Sequence, residues 1–268
     1  MNTQIRPAAT VILMREGTDT FEIFMVKRSM KSSFGSLYVF PGGTLDPEDS
    51  LPEMYQYCEG LSDDQASAKL AVNQNGLAYW VACIRECYEE AGILLTNKSD
   101  MLLQDLKKLD DYRQQLNSKE ITFYEICKEN NLQLRANNIV PCAHWVTPDI
   151  EPKRFDTRFF LAKVHSEQLG VHDGYELTES FWISPAKALE KFHQGEMNMI
   201  MPTIKSLEAL TQFSSREEAF NHFKDLEDGA IPPILPKFIK KDGAWIGFLP
   251  GEDGYESILI YYSKNYRF

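Results

Sequence analysis

Residues 77–92 limit the fold more than any other part of this chain. Apolar residues recur there at helical spacing, and Gly92 stands where a helix stops. Positions i, i+3 and i+4 share one helix face, so Glu86, Glu89 and Glu90 fall on one side. Val81, Ile84, Tyr88 and Ala91 turn the other way and need a sheet to pack on. The fold must therefore bury one face of this helix and leave three carboxylates crowded on the other. Such a cluster repels itself unless it is solvated or neutralised by a hard divalent cation, which prefers oxygen ligands. From the helix alone, a solvated acidic face is the simpler reading.

The rest of the chain mixes strand and helix patterns. Residues 8–14 and 21–27 are β-prone and flank Gly17-Thr18-Asp19, a hairpin pattern. Residues 34–40 lead into Pro41-Gly42-Gly43, a turn that ends a strand. Polar residues 46–75 contain a helix around 62–72, and 100–134 form a second polar stretch with helical spacing. Strand character returns at 139–146, 157–164 and 180–183. Pro185 opens a helix to residue 193, and further helices span 202–213 and 216–225. Short strand-like pieces follow near 244–249 and 257–262. This mixture places the chain in the α/β or α+β class.

Charge narrows the partners. Against 39 acids stand 28 bases, a formal net charge of -11. Such a surface repels polyphosphate backbones and anionic membranes, so neither nucleic acid nor membrane is expected as a partner. A small anionic nucleotide remains compatible if metal ions neutralise it. A homodimer is allowed. Cys58, Cys83, Cys87, Cys127 and Cys142 are odd in number and form no CxxC pair, which predicts reduced thiols and no zinc site. No run approaches the ~18 apolar residues of a membrane span. Residues 8–14 are too short for a secretory signal, and the cytoplasm is the expected compartment.

Two segments together overturn the acidic-face reading. Phe40-Pro41-Gly42-Gly43 is followed by Asp46 and Asp49, and Arg85-Glu86-Cys87-Tyr88-Glu89-Glu90-Ala91-Gly92-Ile93 lies further on. The pair resembles the Nudix hydrolase box, Gly-x5-Glu-x7-Arg-Glu-x-x-Glu-Glu-x-Gly. Gly43 matches its first glycine, and the match from Arg85 to Ile93 is complete. Asp49 replaces the first glutamate, and an insertion of roughly residues 50–78 splits the box. A split box of this kind is similar to the branch that contains the mammalian peroxisomal coenzyme A diphosphatases and bacterial relatives. Lys27-Arg28-Ser29, His144-Trp145-Val146-Thr147-Pro148, the segment from Arg154 to Phe160, His172-Asp173-Gly174, Trp182 and Pro185 extend the likeness.

The resemblance implies a Nudix-type α/β/α sandwich with a mixed sheet and helical insertions. It implies one domain over 1–268, with insertions at about 50–78 and 100–135 and a C-terminal extension from about 214. It implies Mg²⁺ or Mn²⁺ held by Glu86, Glu89, Glu90 and the Gly42 carbonyl, with Arg85 orienting the acids and Glu86 the first choice of base. The implied reaction is hydrolysis of coenzyme A or acyl-CoA to 3′,5′-ADP and (acyl-)phosphopantetheine. Arg28, Gly43, Arg154, Phe155 and Arg158 are candidates for substrate binding, because cations beside an aromatic ring can grip phosphate and stack a purine. Glu176 or Glu179 is a candidate for a further acid from outside the box. His144 and His172 are better read as structural. Two other readings stay open: a Nudix hydrolase of ADP-ribose or a dinucleotide, and a non-catalytic Nudix ligand-binding module.

Overall fold

The computed structural model describes residues 4–29, 36–96, 103–164, 170–174, 177–241 and 244–257. The hydrophobic run Val11-Ile12-Leu13-Met14 is buried on both faces and forms the middle of strand β1 (Ile5–Glu16). A strand buried on both faces must be covered from both sides, and this one sits inside a seven-stranded mixed sheet. Strand β2 (Phe21–Arg28) returns antiparallel to β1 across the expected hairpin. Strands β3 (Tyr38–Val39) and β4 (Gly42–Thr44) pair with β2 and β1 respectively. The Gly42-Gly43 pair is thus not only a turn, as its composition suggests. It forms a short strand against Ala9 and Thr10 of β1.

The split in the box is filled by short helices, α1 (Pro52–Tyr55) and α2 (Asp63–Leu70), before the main helix α3 (Leu77–Ala91). Ser62 and Gln65 form a reciprocal capping box that starts α2. Helix α3 ends at Gly92, whose φ of 68° is left-handed. A Cβ there would lie 2.8 Å from Arg113 Nη1, so the glycine also admits the guanidinium that donates to the helix end. Arg113 donates to the carbonyls of Glu89 and Glu90. It comes from α4 (Leu103–Asn117), and α5 (Phe123–Asn130) follows behind a Thr122–Glu125 capping box.

Strands β5 (Ile139–Val146), β6 (Arg154–Lys163) and β7 (Leu177–Ile183) complete the sheet. β6 runs parallel to β1 from Ile5↔Arg154 to Met14↔Lys163, and β5 pairs antiparallel with β6. The sequence pattern places the start of β6 at residue 157; it begins three residues earlier, so Arg154 and Phe155 belong to a pleated strand. Helices α6 (Pro185–His193), α7 (Met201–Leu210) and α8 (Arg216–Lys224) follow, and β8 (Lys237–Lys241) and β9 (Ala244–Phe248) make a separate hairpin. β8 is a strand that residue pattern does not reveal. The expected strand at 257–262 lies almost wholly outside the described residues, and Tyr255–Ser257 forms a 3-10 turn.

Strand parity separates two cores. Ala9, Val11, Leu13, Phe160 and Ala162 face α3 together with Trp80, Ile84 and Tyr88. Ile12, Met14, Phe159 and Leu161 face Ala188, Leu207 and Phe220 on the other side. The result is an α/β/α sandwich of the Nudix type. Among the described residues no helix is long and apolar enough to cross a membrane. All five cysteines are free thiols.

Trp80 ties α3 to the sheet. Its ring lies 4.8 Å from Phe160, and its Nε1 donates to the Ile139 carbonyl at 3.0 Å. We expect Trp80→Ala to cost about 3–5 kcal/mol of unfolding free energy, measured by urea denaturation. A loss below 1 kcal/mol would show that α3 does not depend on this contact.

Candidate active site

The site begins with a buried ion pair. Pro47–Ser50 forms a 3-10 turn that carries Asp49 inward until it is 2% exposed. Arg85, on the buried part of α3, meets it bidentately: Nε to Oδ1 at 3.0 Å and Nη2 to Oδ2 at 2.9 Å. Nη2 also donates to the Thr44 carbonyl at 2.9 Å. The remaining nitrogen, Nη1, reaches Glu86 at 2.9 Å and Glu89 at 3.1 Å. Burial works against the Arg85 charge, but Asp49, Glu86 and Glu89 outweigh it and raise the pKa. Asp49 was the departure from the box; it holds Arg85 as a carboxylate at that position must. Sequence reasoning left it out of the site residues, although the five residues between Gly43 and Asp49 were the available signal.

Glycine is required where these elements meet. A Cβ on Gly43 would lie 2.4 Å from Glu86 Oε1, so the carboxylate rests against bare backbone. A Cβ on Gly42 would lie 2.5 Å from the Ala9 carbonyl oxygen. The Gly42 N–H donates to Glu90 at 2.8 Å, and Arg28 Nη2 donates to the Gly42 carbonyl at 3.1 Å. Arg28 also lies 3.7 Å from Glu90. Gly42, Gly43, Arg28, Arg85, Glu86, Glu89 and Glu90 therefore form one cluster.

The three acids of α3 nevertheless do not converge on a common point. Among the described residues no three acids are arranged as a metal-ligand group. Glu86 and Glu89 turn to Arg85, and Glu90 turns to Gly42. Burial pushes the pKa of Glu86 up, only partly offset by Arg85. Burial, with Glu86, Asp46 and Asp49 nearby, pushes Glu89 up to about 8 against the pull of Arg85. These are hard oxygen donors whose charges are poorly solvated and mutually repulsive. That donor set fits Mg²⁺ or Mn²⁺.

A cleft of about 1720 Å³ opens from the cluster. At one end it is lined by the carboxylates and by the turn between α4 and α5, including Lys119 and Thr122. From the carboxylates it runs along β1 and β6, over Thr10 and Phe159, then Ala8, Thr157 and Trp145, then Phe155, and Pro236 and Phe238 also line it. The segment before β8 is anchored there because Ile234 N donates to the His144 carbonyl at 2.8 Å, and Val146 N donates back at 2.9 Å.

Of the other sequence candidates, Phe155 lines this cleft, while Arg154 and Arg158 do not. They alternate with Phe155 along β6 and so face the opposite side of the sheet. Arg154 is buried and donates to the Thr147 carbonyl. Arg158 is buried, donates to the Leu70 carbonyl at 2.8 Å and lies 5.9 Å from the Tyr79 ring centre, fastening α2 to the sheet. Glu176 lies outside the described residues. Glu179 is bound to Lys27 and Tyr38. His144 pairs with Asp156 at 2.6 Å, and His172 with Ser180 at 2.9 Å.

Two outcomes are expected. Asp49→Asn leaves a buried guanidinium without its main counter-charge and should cost about 3–5 kcal/mol in denaturant unfolding. Arg158→Met should lower the unfolding midpoint and leave KM for the turned-over diphosphate within twofold, roughly the spread of a neutral change. A large rise in KM would return Arg158 to substrate binding.

The chain resembles known proteins along most of its length. The family model described as the NUDT19 Nudix domain matches residues 59–210. The chain is 23% identical over 287 residues to the acyl-coenzyme A diphosphatase NUDT19 of Xenopus laevis, covering 94% of this chain and 76% of that protein. It is 25% identical to the putative nudix hydrolase 7 of Caenorhabditis elegans, covering 89% and 70%. A crystal structure of a Nudix hydrolase from Alicyclobacillus acidocaldarius superposes with a TM-score of 0.65 at 26% identity, covering 82% of this chain and 97% of that one. With the box rebuilt around Arg85 and a family model spanning more than half its length, the chain belongs to the NUDT19 Nudix domain family, as a diphosphatase acting on a nucleoside diphosphate linked to another group.

Proposed function

We propose that this protein hydrolyses coenzyme A or an acyl-CoA to 3′,5′-ADP and (acyl-)phosphopantetheine, using Mg²⁺ or Mn²⁺. The observation that carries the chemistry is the buried Asp49–Arg85 pair, which joins Gly42 and Gly43 to Glu86, Glu89 and Glu90 across the insertion. The choice of substrate is supported by relatives whose names give acyl-coenzyme A as theirs. Other linked nucleoside diphosphates, such as ADP-ribose, use the same bond and are the competitors to test. A non-catalytic role is disfavoured because every box acid on α3 is retained.

Glu86, Glu89, Glu90 and the Gly42 carbonyl would hold the cation. A divalent cation there supplies an activated water and neutralises charge on the diphosphate. The chain's own residues prepare the rest. Arg85 Nη1 donates to both Glu86 and Glu89 and so holds the two acids on one nitrogen. Arg28 donates to the Gly42 carbonyl and lines the cleft, where its guanidinium can meet an anionic substrate. Glu86 is our assignment for the base, because burial raises its affinity for a proton. The net charge of -11 favours a small nucleotide over nucleic acid, and we keep the cytoplasm as the expected compartment.

A panel of coenzyme A, acyl-CoA, ADP-ribose and dinucleotide diphosphates, with products identified by mass, tests the substrate. Faster turnover of ADP-ribose than of coenzyme A would overturn that choice and leave the diphosphatase chemistry intact. Glu89→Gln should abolish turnover while the circular dichroism spectrum is retained.

Proton linkage gives an independent check. Glu89 is raised from 4.5 to about 8, so between those values the folded state binds more protons than the unfolded chain. Stability of the metal-free protein therefore declines as pH rises through that window. Metal must displace the proton, so its affinity should climb over the same window. Calorimetry near neutral pH in two buffers of different ionisation enthalpy should show proton release on Mn²⁺ binding, and less of it in Glu89→Gln. Equal proton release in both would place the titration elsewhere.

A further inference from the structure

The cleft holds cations that the cluster around Arg85 does not use. Arg85 is engaged by Asp49, Glu86 and Glu89, and Arg28 by Gly42 and Glu90. At the far end of the cleft stand Arg6 on β1 and Lys153 just before β6. Arg6 is exposed and is the register partner of Phe155. It has the same strand parity as Ala8 and Thr10, so Arg6, Ala8, Thr10 and Phe155 all present side chains to the cleft. Glu151 lines the same end, and Arg6 makes no ion pair among the described residues.

The order along β1 supplies the geometry. Thr10 pairs with Gly42 beside the carboxylates, Ala8 pairs with Thr44, and Arg6 lies two residues further. Four residues separate the Gly42 row from the Arg6 row, about 13 Å at ~3.3 Å per residue. Between them the cleft is floored by Thr157 and Trp145, which share a row with Ala8. Trp145 is 4% exposed, and its indole N–H meets no acceptor among the described residues. A buried donor on a cleft wall calls for a polar ligand atom.

We propose that Arg6, assisted by Lys153, is a second anion subsite that grips a phosphate monoester on the nucleoside whose 5′-diphosphate lies at Gly42. Phe155 and Trp145 flank the nucleoside between the two anionic ends. The proposal rests on the diphosphatase reading and deepens it. It assigns discrimination between nucleosides with and without the extra phosphate to a residue far from the box. A guanidinium can bind phosphate through paired hydrogen bonds, whereas a lone ammonium acts as a point charge.

Two measurements test it. Dephospho-coenzyme A differs from coenzyme A only in the 3′-phosphate. The ratio of their kcat/KM values should fall roughly tenfold to hundredfold in Arg6→Gln, the size of a charge-assisted hydrogen bond. Arg6→Lys should recover part of that ratio, which a structural role for Arg6 would not produce. An unchanged ratio in Arg6→Gln overturns the subsite. Calorimetric binding of adenosine 3′,5′-bisphosphate and of 5′-AMP reads the same subsite without turnover. Wild type should prefer the bisphosphate, and Arg6→Gln should lose that preference. Equal binding by wild type overturns the proposal even if diphosphates are cleaved. A bisphosphate preference that depends on Arg6, in a protein that fails to hydrolyse coenzyme A, upholds the subsite and overturns the substrate reading instead.

Discussion

Everything at the catalytic end of this molecule depends on one guanidinium. Arg85 is 5% exposed, and it joins two pieces of chain 36 residues apart in sequence. A buried ion pair adds little net stability relative to an apolar pair, because desolvation consumes the attraction. What the pair provides is geometry. Its two parallel hydrogen bonds to Asp49 fix the guanidinium plane, and its third nitrogen then fixes Glu86 and Glu89. The insertion between Asp49 and Arg85 can vary in length without moving the acids, since α1 and α2 leave and return at one place. Loop closure becomes only slowly more expensive as a loop lengthens, so interrupting the box carries a modest cost.

The sheet and most helices were legible because each depends on local pattern. β1, β2 and α3 followed from their periodicity, and Ser62, Gly92 and Pro185 marked helix ends by their chemistry. β4 was not legible. Gly42 and Gly43 carry no β-propensity, and they pair with β1 because close packing on Ala9 and Glu86 leaves no room for a side chain. β8 was missed for another reason. Among the described residues it pairs only with β9, and it is positioned by backbone contacts of Ile234 with β5, which are remote in sequence.

For the site, residue type was a weaker guide than strand parity. Arg154, Phe155 and Arg158 look like one phosphate-and-purine cluster when read as neighbours. On a pleated strand, successive side chains point to opposite faces, so Phe155 can share a surface with Thr157 and Phe159 but not with Arg154 or Arg158. Knowing that β6 begins at Arg154 would have been enough to divide them. Arg6 was invisible for the complementary reason. It lies before the apolar run of β1, and only the parallel pairing of β1 with β6 sets it beside Phe155. Such non-local pairing cannot be read from either strand alone.

The charges on the cleft explain why these positions matter. Its lining contains eight Asp and Glu residues against five Lys and Arg. Before any cation binds, such a cleft repels the diphosphate it must hold, and the net charge of the whole chain adds to the repulsion. A cation held at the carboxylate end, where most of the acids stand, would couple its own binding to that of the substrate. The same repulsion limits where a second anionic group can be held without a cation of its own. The field of an exposed charge decays over a Debye length of about 10 Å at 0.1 M salt. The Arg6 row is about 13 Å from the Gly42 row along the strand. At that separation the carboxylate cluster cancels the field of Arg6 only in part. On the proposed reading, a substrate with two separated anionic groups would meet neutralising charge at both ends, one carried by a cation and one built into β1.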